Sequence, residues 1–330
     1  MGLVYALGAY LSWGLVVPVH FRLLGHLSPG LILAERIVWS SLFALALVAL
    51  WRARLRSPFP LRARHGWLAA SAALIGVNWL LYLTAVNSGH LLDASLGYYI
   101  NPLVSVALGA AVLGERLRPV QIAAVVIAAS GVIVAVAMAG TLPWLALALA
   151  ASFSLYGLIR KVVGVDPVVG FLAETLLLAP FALAYWAWTP ETTPRDGQTL
   201  GLLALTGVTT ALPLIWFAAA AERMKLATLG LLQYLAPTGL LGLSVLAYGE
   251  QVAPHQVPLF GLIWLALALY ALDTWRAARQ ASRQASRQAS RQASRQASRQ
   301  ASRQASGQSS GQSSRLAAHD CGARPGPPAR

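Results

Sequence analysis

The sequence from Leu91 to Gln121 reads LLDASLGYYINPLVSVALGAAVLGERLRPVQ, and a near-copy from Lys225 to Gln256 reads KLATLGLLQYLAPTGLLGLSVLAYGEQVAPHQ. Each copy opens on Ala-Ser/Thr-Leu-Gly, passes an internal proline and ends on a Gly-Glu pair followed by Pro and Gln. The spacing from the internal proline to the glutamate, and from there to the final Pro and Gln, is the same in both copies. Self-similarity of this kind predicts a protein built from two related halves.

The composition is typical of a polytopic membrane protein. Apolar residues make up 57% of the chain and charged residues 11%, against roughly 25% charged residues in a soluble domain. The net charge of +14 does not indicate nucleic acid as a partner, because the segment from Arg276 onward carries +10 and the rest of the chain only +4. Cys321 is the only cysteine, which excludes an internal disulfide and a cysteine metal site.

The apolar segments predict ten transmembrane helices, since a bilayer span needs about 20 mostly apolar residues. The spans fall at 3–21, 29–51, 66–86, 91–113, 120–139, 143–159, 167–188, 200–220, 227–248 and 257–275. Lysine and arginine concentrate in one set of connections, which the positive-inside rule assigns to the cytoplasm. That set holds Arg52, Arg54, Arg56, Arg62, Arg64, Arg116, Arg118, Arg160, Lys161, Arg223, Lys225, Arg276 and Arg279, whereas the opposite set holds Arg22 and Arg195. Both termini are therefore expected to be cytoplasmic.

Shorter matches extend the repeat to all parts of the two halves. Trp13-Gly14 matches Tyr156-Gly157, Leu33-Ala34-Glu35 matches Leu172-Ala173-Glu174, and Gly76-Val77 matches Gly207-Val208. Five helices per half is an odd number, so the halves must be inverted relative to each other in the bilayer. We therefore expect a first five-helix repeat at 1–139, a second at 140–276 and a tail at 277–330. Inverted repeats are typical of alternating-access transporters, although duplication also occurs in channels and in structural membrane proteins.

Two intramembrane glutamates are the strongest candidates for function. Glu35 and Glu174 lie about two helical turns inside their helices and are related by the repeat. A charged group at that depth costs several kcal/mol unless it is paired or faces water, and is a functional candidate by default. Arg36 points about 100° away from Glu35 around the helix. A buried carboxylate can also exchange protons, which would couple transport to a proton gradient. The alternative is that both glutamates only tie helices together.

Other polar and aromatic residues are candidates for lining a central solute path. Aromatic rings with amides near the membrane midplane suit a flat or amphipathic small organic solute. Polar side chains also bridge helices in membrane bundles, which is the structural alternative for each of them. Together with the two glutamates, the predicted substrate-binding residues are Trp13, Asn78, Trp79, Tyr98, Asn101, Tyr156 and Gln233.

These same positions carry a resemblance to a known family. The segments AYLSWGLVVP from Ala9, ASLGYYINPL from Ala94 and Glu115-Arg116-Leu117, together with Tyr156-Gly157 and Gln233-Tyr234, resemble the RarD group of EamA-type permeases in the drug/metabolite transporter superfamily. The resemblance covers Met1 to Arg276. It implies ten helices in two inverted five-helix halves and an inner-membrane permease of bacteria, in a group linked by name to chloramphenicol sensitivity.

Other function classes find less support in the sequence. The sequence has no Gly-x-x-x-x-Gly-Lys-Ser/Thr loop for nucleotide phosphates, and no histidine pair at the spacing of a zinc-binding helix. We therefore expect no enzyme activity and no cofactor. A channel-like facilitator stays open as an alternative, although a ring of like charges that would select ions is missing. The Ser-Arg-Gln-Ala repeats from Ala278 to Ala305 predict a disordered tail.

Overall fold

The computed structural model describes residues 1–51, 65–87, 91–139, 144–189, 196–249 and 257–277, with isolated residues between 279 and 296. Over these residues the chain forms helices and no strand, which confirms the predicted all-α fold. The described residues form ten helices, α1 Gly2–Leu23, α2 Pro29–Trp51, α3 His65–Asn87, α4 Leu91–Ala111, α5 Pro119–Ala139, α6 Trp144–Val163, α7 Pro167–Trp188, α8 Gly197–Arg223, α9 Leu226–Tyr248 and α10 Val257–Ala277.

Most of these helices have the length and composition of membrane spans. Within the described ranges, eight of the ten are long and apolar enough to cross a membrane, all except α3 and α4. Helices α3 and α4 contain 23 and 21 residues, about the length that a span requires. Large apolar side chains such as Phe181 and Leu246 point outward and are 72% and 88% exposed. The chain is thus a multi-pass membrane protein whose apolar outer surface suits lipid.

The helices of residues 1–270 pack in pairs that follow the repeat. Helix α1 packs on α8, and its equivalent α6 packs on α3. Helix α2 packs on α7 and α8, and α7 in turn packs on α3, the equivalent of α8. For these pairs, replacing each helix by the one five places along the chain gives another observed pair, as a duplicated five-helix bundle predicts. The symmetry is incomplete over the described residues, because α6 also packs on α8 without a comparable contact between α1 and α3.

Small residues allow the central helices to approach closely. A Cβ on Gly207 of α8 would lie 2.5 Å from the backbone oxygen of Trp39 in α2, so no side chain fits there. The four alanines Ala218–Ala221 near the end of α8 are all buried. Because lipid is as apolar as the core, membrane helices gain stability from close packing of this kind.

The Gly-Glu pair of the repeat has a clear structural role in its first copy. Gly114 and its repeat equivalent Gly249 both adopt the left-handed conformation, with φ of 62° and 65°, which favours glycine. Just beyond Gly114, the carboxylate of Glu115 accepts hydrogen bonds from the backbone N–H groups of Leu226 and Ala227 at 2.7 and 2.9 Å. Glu115 therefore caps the start of α9 from the other half. Glu250, its equivalent, lies outside the described residues.

Candidate functional site

A central cavity of about 780 Å³ opens between the two halves. Helices α1, α2, α3, α4, α6, α8 and α9 all contribute to its wall. The volume falls within the range of about 300–1,000 Å³ that is usual for sites of small molecules. Its wall is mainly aromatic and apolar, with amides, hydroxyls and two arginines as the polar groups. Such a wall can hold a flat or amphipathic solute and orient it through a few hydrogen bonds.

The cavity wall on α1 is formed where that helix widens. Residues Ser12–Val16 form a turn of π-helix in which the N–H of Val17 bonds the oxygen of Ser12, five residues earlier. Pro18 has no N–H to offer the carbonyl of Gly14 four residues back, which disfavours the regular α-helical pattern at this point. The wider turn contains Trp13, whose ring lines the cavity. Single π-helical turns are frequent at functional sites.

Helix α9 is interrupted beside this turn. Its two segments are Leu226–Leu232 and Leu235–Tyr248. The second copy of the repeat carries two more residues than the first between its Ala-Thr-Leu-Gly motif and its internal proline, and the interruption lies in this longer stretch. Gln233 sits at the interruption and lines the cavity. The turn of α1 packs directly against this region, since a Cβ on Gly14 would lie 2.6 Å from the oxygen of Ala236.

Six of the nine predicted site residues line the cavity: Trp13, Asn78, Trp79, Tyr98, Asn101 and Gln233. Two of these six also bridge helices. The amide nitrogen of Asn78 donates to the backbone oxygen of Leu149 and the hydroxyl of Ser152, both at 3.0 Å. The hydroxyl of Ser154 donates to the amide oxygen of Asn101 at 2.5 Å. The two amides therefore fix α3 and α4 against α6, so cavity lining and helix bridging are combined in the same residues.

A cluster of aromatic rings closes the cavity beneath Trp13. The ring centre of Trp13 lies 5.6 Å from that of Phe153 and 5.9 Å from that of Phe217. Tyr156, the repeat equivalent of Trp13, stacks on Phe217 at 6.0 Å and is fully buried behind it. Tyr10 joins the cluster, and its hydroxyl donates to the backbone oxygen of Leu229 at 2.8 Å. Tyr156 thus lies below the cavity floor, outside the lining.

Glu174 lies in a separate buried polar cluster. Its carboxylate pairs with the guanidinium of Arg160 at 3.3 Å, and accepts hydrogen bonds from the hydroxyls of Ser71 at 2.6 Å and Tyr156 at 3.3 Å. Arg160 also donates to the backbone oxygen of Pro167 at 3.2 Å. A Cβ at Gly170 would overlap this guanidinium, so glycine is required there. The cluster joins α3, α6 and α7 and is not part of the cavity lining.

Glu35 is also buried away from the lining, whereas its neighbour faces the cavity. One carboxylate oxygen of Glu35 accepts a hydrogen bond from the indole nitrogen of Trp39 at 3.0 Å, one turn along the same helix. Arg36 points the other way, as its position on the helix predicts, and its guanidinium reaches the cavity. Sequence reasoning therefore missed Arg36 as a site residue. The available signal was that Arg36 is itself an ionisable residue at the same depth in the helix as Glu35.

Two more cavity residues were absent from the sequence prediction. Thr209 and Thr210 of α8 line the cavity and occupy the positions that the repeat pairs with Asn78 and Trp79. The alignment of Gly76-Val77 with Gly207-Val208 would have located them. Among the described residues, no group of three or more His, Cys, Asp or Glu side chains is arranged to hold a metal ion.

Several known proteins are similar to this chain over most of their length. An uncharacterized transporter of Pseudomonas aeruginosa is 43% identical over 290 residues, which make up 84% of this chain and 96% of the relative. Protein RarD of Escherichia coli is 42% identical over 279 residues, 82% of this chain and 94% of the relative. A protein of Pseudomonas aeruginosa named chloramphenicol-sensitive protein RarD is 32% identical, with 80% of this chain and 91% of the relative covered.

The family and the fold agree with these relatives. Residues 1–137 match the EamA-like transporter family. A crystal structure that is 23% identical in sequence superposes with a TM-score of 0.64 and covers 82% of this chain and 97% of the other. At that identity the match describes the fold alone.

Proposed function

Because this chain belongs to the EamA-like transporter family, with RarD proteins among its relatives, we propose that it is a secondary transporter of the bacterial inner membrane. It moves a small organic solute by alternating access between its two halves, 1–139 and 140–276, with 277–330 as a separate tail. The nine residues predicted from the sequence, Trp13, Glu35, Asn78, Trp79, Tyr98, Asn101, Tyr156, Glu174 and Gln233, provide the solute path and its closure. The observation that carries this proposal is the one-sided central cavity.

The cavity reaches from the middle of the bundle toward one end of it. Short connections place the ends of α1 at Leu23 and α3 at Asn87 beside the starts of α2 at Pro29 and α4 at Leu91, and we call this the open end. In α1, α3, α4 and α6 the lining residues lie between the middle of the helix and the open end, as Trp13 to Arg22 do in α1. A solute would therefore enter from one side only, which is the geometry of one state of an alternating-access cycle.

The other end, where α6 ends at Val163 and α8 at Arg223, is held shut by polar contacts between helices. The pair of Arg160 and Glu174 lies there. The ammonium of Lys161 donates to the backbone oxygens of Ala221 and Met224 at the end of α8. It also lies 3.8 Å from the carboxylate of Glu115, which caps α9. Opening this end during transport requires these contacts to break, so they are the proposed closure of the solute path.

The predicted orientation gives the cavity a direction. With both termini cytoplasmic, the closed end carries the Arg-rich connections and faces the cytoplasm, so the cavity opens to the periplasm. Glu35 and Glu174 are the proposed sites of proton coupling, because both are carboxylates buried within the helices and the repeat relates them. Glu174 is well placed for this role, because breaking its ion pair with Arg160 would accompany opening of the closed end.

Counterflow in proteoliposomes tests the proposal. The labelled solutes include benzoate, phenylalanine and chloramphenicol, the last because of the name of one relative. We expect saturable uptake that is accelerated when the same unlabelled solute is loaded inside the vesicles, and that responds to an imposed proton gradient. Flux that rises linearly with concentration and shows no counterflow would instead identify a channel-like facilitator.

A pair of tryptophan variants locates the path. Trp13→Ala is expected to lower uptake about tenfold, as the loss of about 1.4 kcal/mol of aromatic contact predicts. Trp188→Ala serves as the control because this side chain is 86% exposed at the end of α7. Equal uptake by both variants would exclude the cavity as the path. A proton gradient without effect on flux would exclude coupling and leave the carrier proposal in place.

A further inference from the structure

Arg36 is a cation at the wall of the central cavity without an acidic partner. No carboxylate lies within ion-pair distance of its guanidinium among the described residues, and its Nε–H is buried without a hydrogen-bond acceptor. What it does contact is aromatic: the guanidinium carbon lies 4.3 Å from the ring centre of Trp79 and 5.5 Å from that of Phe21. A charge at this depth in a membrane protein costs several kcal/mol unless it is paired or faces water, and it is a functional candidate by default.

All the charged residues in the cavity lining are positive. Its charged residues are Arg22 and Arg36, and it contains no aspartate or glutamate. Cavities lined by charge of one sign within low-dielectric walls concentrate ligands of the opposite sign. The cavity therefore selects against cationic solutes and attracts anionic ones.

Arg160 shows what a structural arginine looks like in the same protein. Its guanidinium pairs with Glu174 at 3.3 Å and donates to a backbone oxygen at 3.2 Å. Arg36 has neither kind of partner, and aromatic contact alone leaves the N–H groups on its edge without acceptors. The Nε–H of both arginines lacks an acceptor, so the difference between them lies in the carboxylate and the backbone oxygen that only Arg160 contacts. That difference indicates that Arg36 awaits a partner from outside the chain.

The surroundings of Arg36 define the rest of the ligand. The rings of Tyr82 and Tyr98 face the cavity, with their centres 6.4 Å apart in an edge-to-face arrangement, and are 39% and 46% exposed. Trp79 offers a further aromatic surface beneath the guanidinium. A planar apolar body fits between such rings, and an arginine fork matches the two oxygens of a carboxylate.

We propose that the transported solute is an organic carboxylate with a flat, apolar body, and that Arg36 binds its carboxylate in the central cavity. This inference rests on the proposed function, in which the cavity is the solute site. Arg36 acts as the anchoring residue and the aromatic rings hold the body of the solute. Arg22, which is exposed and stacks on Tyr248 at 3.7 Å, lies nearer the cavity entrance and attracts anions without anchoring them.

Three probes of matched shape and different charge test the inference. They are 3-phenylpropionate, 3-phenylpropanamide and 3-phenylpropylammonium, and their binding to the purified protein in detergent is measured by isothermal titration calorimetry. We expect the carboxylate to bind at least about tenfold more tightly than the amide, which is the lower range for a charge-assisted hydrogen bond. The ammonium probe should bind more weakly than the amide.

Variants assign the preference to Arg36. Arg36→Met should abolish the preference for the carboxylate over the amide. Arg36→Lys should keep part of that preference, because lysine carries the positive charge but lacks the planar guanidinium that binds both carboxylate oxygens. Arg223→Met is the control and should leave carboxylate affinity unchanged, because Arg223 lies at the end of α8 outside the cavity lining and its side chain is 30% exposed. Thermal unfolding of Arg36→Met should begin at the same temperature as wild type or higher, because an unpaired buried charge is removed.

The inference is overturned if the carboxylate and the amide bind wild type equally, if the ammonium binds best, or if none of the three binds. It is also overturned if Arg36→Met keeps the carboxylate preference. Counterflow of the same probes separates this inference from the transporter proposal. Selective carboxylate binding without counterflow would refute transport and leave the anion site, whereas equal counterflow of carboxylate and amide would refute the anion site and leave transport.

Discussion

The buried ion pair between Arg160 and Glu174 gives a stability prediction that follows directly from its geometry. Both side chains are 2% exposed, and the nitrogen and oxygen are 3.3 Å apart. Removing one partner of a buried pair leaves the other charge uncompensated, which costs about 3–5 kcal/mol. In Arg160→Met the Glu174 carboxylate keeps its hydrogen bonds from Ser71 and Tyr156. We therefore expect a loss of unfolding free energy near the lower limit, about 3 kcal/mol.

A double-mutant cycle measures the coupling. Glu174→Gln alone leaves Arg160 buried and unpaired, whereas Arg160→Met with Glu174→Gln removes both charges together. We expect the double variant to lose about 2 kcal/mol less than the sum of the two single variants. The unfolding free energies are measured by equilibrium denaturation in mixed micelles with increasing SDS, so the cycle does not depend on knowing the solute.

The control for this cycle is a second arginine–glutamate ion pair, which has a similar N–O distance but is more exposed to solvent. Arg223 and Glu222 lie 3.4 Å apart, with side chains 30% and 17% exposed. Arg223→Met should cost at most about 1 kcal/mol, as for other pairs that water reaches. A loss below about 1 kcal/mol for Arg160→Met, or additive effects in the double variant, would refute the conclusion that this pair holds the closed end together.

Three further predictions concern backbone contacts. Gly14→Ala should destabilise the protein by about 1–3 kcal/mol and lower uptake, because the added Cβ would meet Ala236. Gly201→Ala is the control, since a Cβ at that position meets nothing within 4 Å. Equal unfolding free energies of the two variants would contradict the prediction. Glu115→Ala should cost about 1–2 kcal/mol through loss of the α9 cap, and Glu115→Gln less, in the same SDS titration; no loss would mean that the cap is dispensable. The backbone N–H of Thr199 lowers the pKa of Asp196, so the capping contact of Asp196 should stabilise α8 fully above the pKa of the unfolded state and lose this effect as pH falls through the lowered folded pKa. The thermal stability of Asp196→Asn should therefore not show this loss in acid. Parallel pH profiles of unfolding for wild type and variant would refute the prediction.

The repeat in the sequence predicted more of this fold than hydropathy did. The match between Gly114-Glu115 and Gly249-Glu250 led to the same left-handed turn at both glycines. The two extra residues in the second copy mark where α9 is interrupted, and they were visible in the sequence. Their effect was not predicted, because an insertion in a helix can be absorbed as a bulge, a kink or a break.

The rotation of each helix about its axis limited the site prediction. Helices that are apolar all round carry no stripe that tells which face is buried, so the assignment of Glu35 rather than Arg36 to the lining had no support from periodicity. The pairing of Glu174 with Arg160 joins helices α7 and α6 and depends on the same rotation. The prediction that Asn78 and Trp79 line the cavity depended less on this rotation. Two adjacent side chains point about 100° apart, so together they cover a wide part of the helix circumference.

The comparison of equivalent positions in the two repeats shows that the cavity lining is only partly symmetric. Trp13 and Arg36 face the cavity, whereas their equivalents Tyr156 and Thr175 are each 1% exposed. Other pairs are symmetric, since Asn78 and Trp79 and their equivalents Thr209 and Thr210 all line the cavity. In the proposed alternating-access cycle, reversal would bring the covered residues Tyr156 and Thr175 to the solute path. Because Thr175 carries no charge, the proposed cycle predicts weaker binding of a carboxylate when the closed end opens than when the cavity faces the open end.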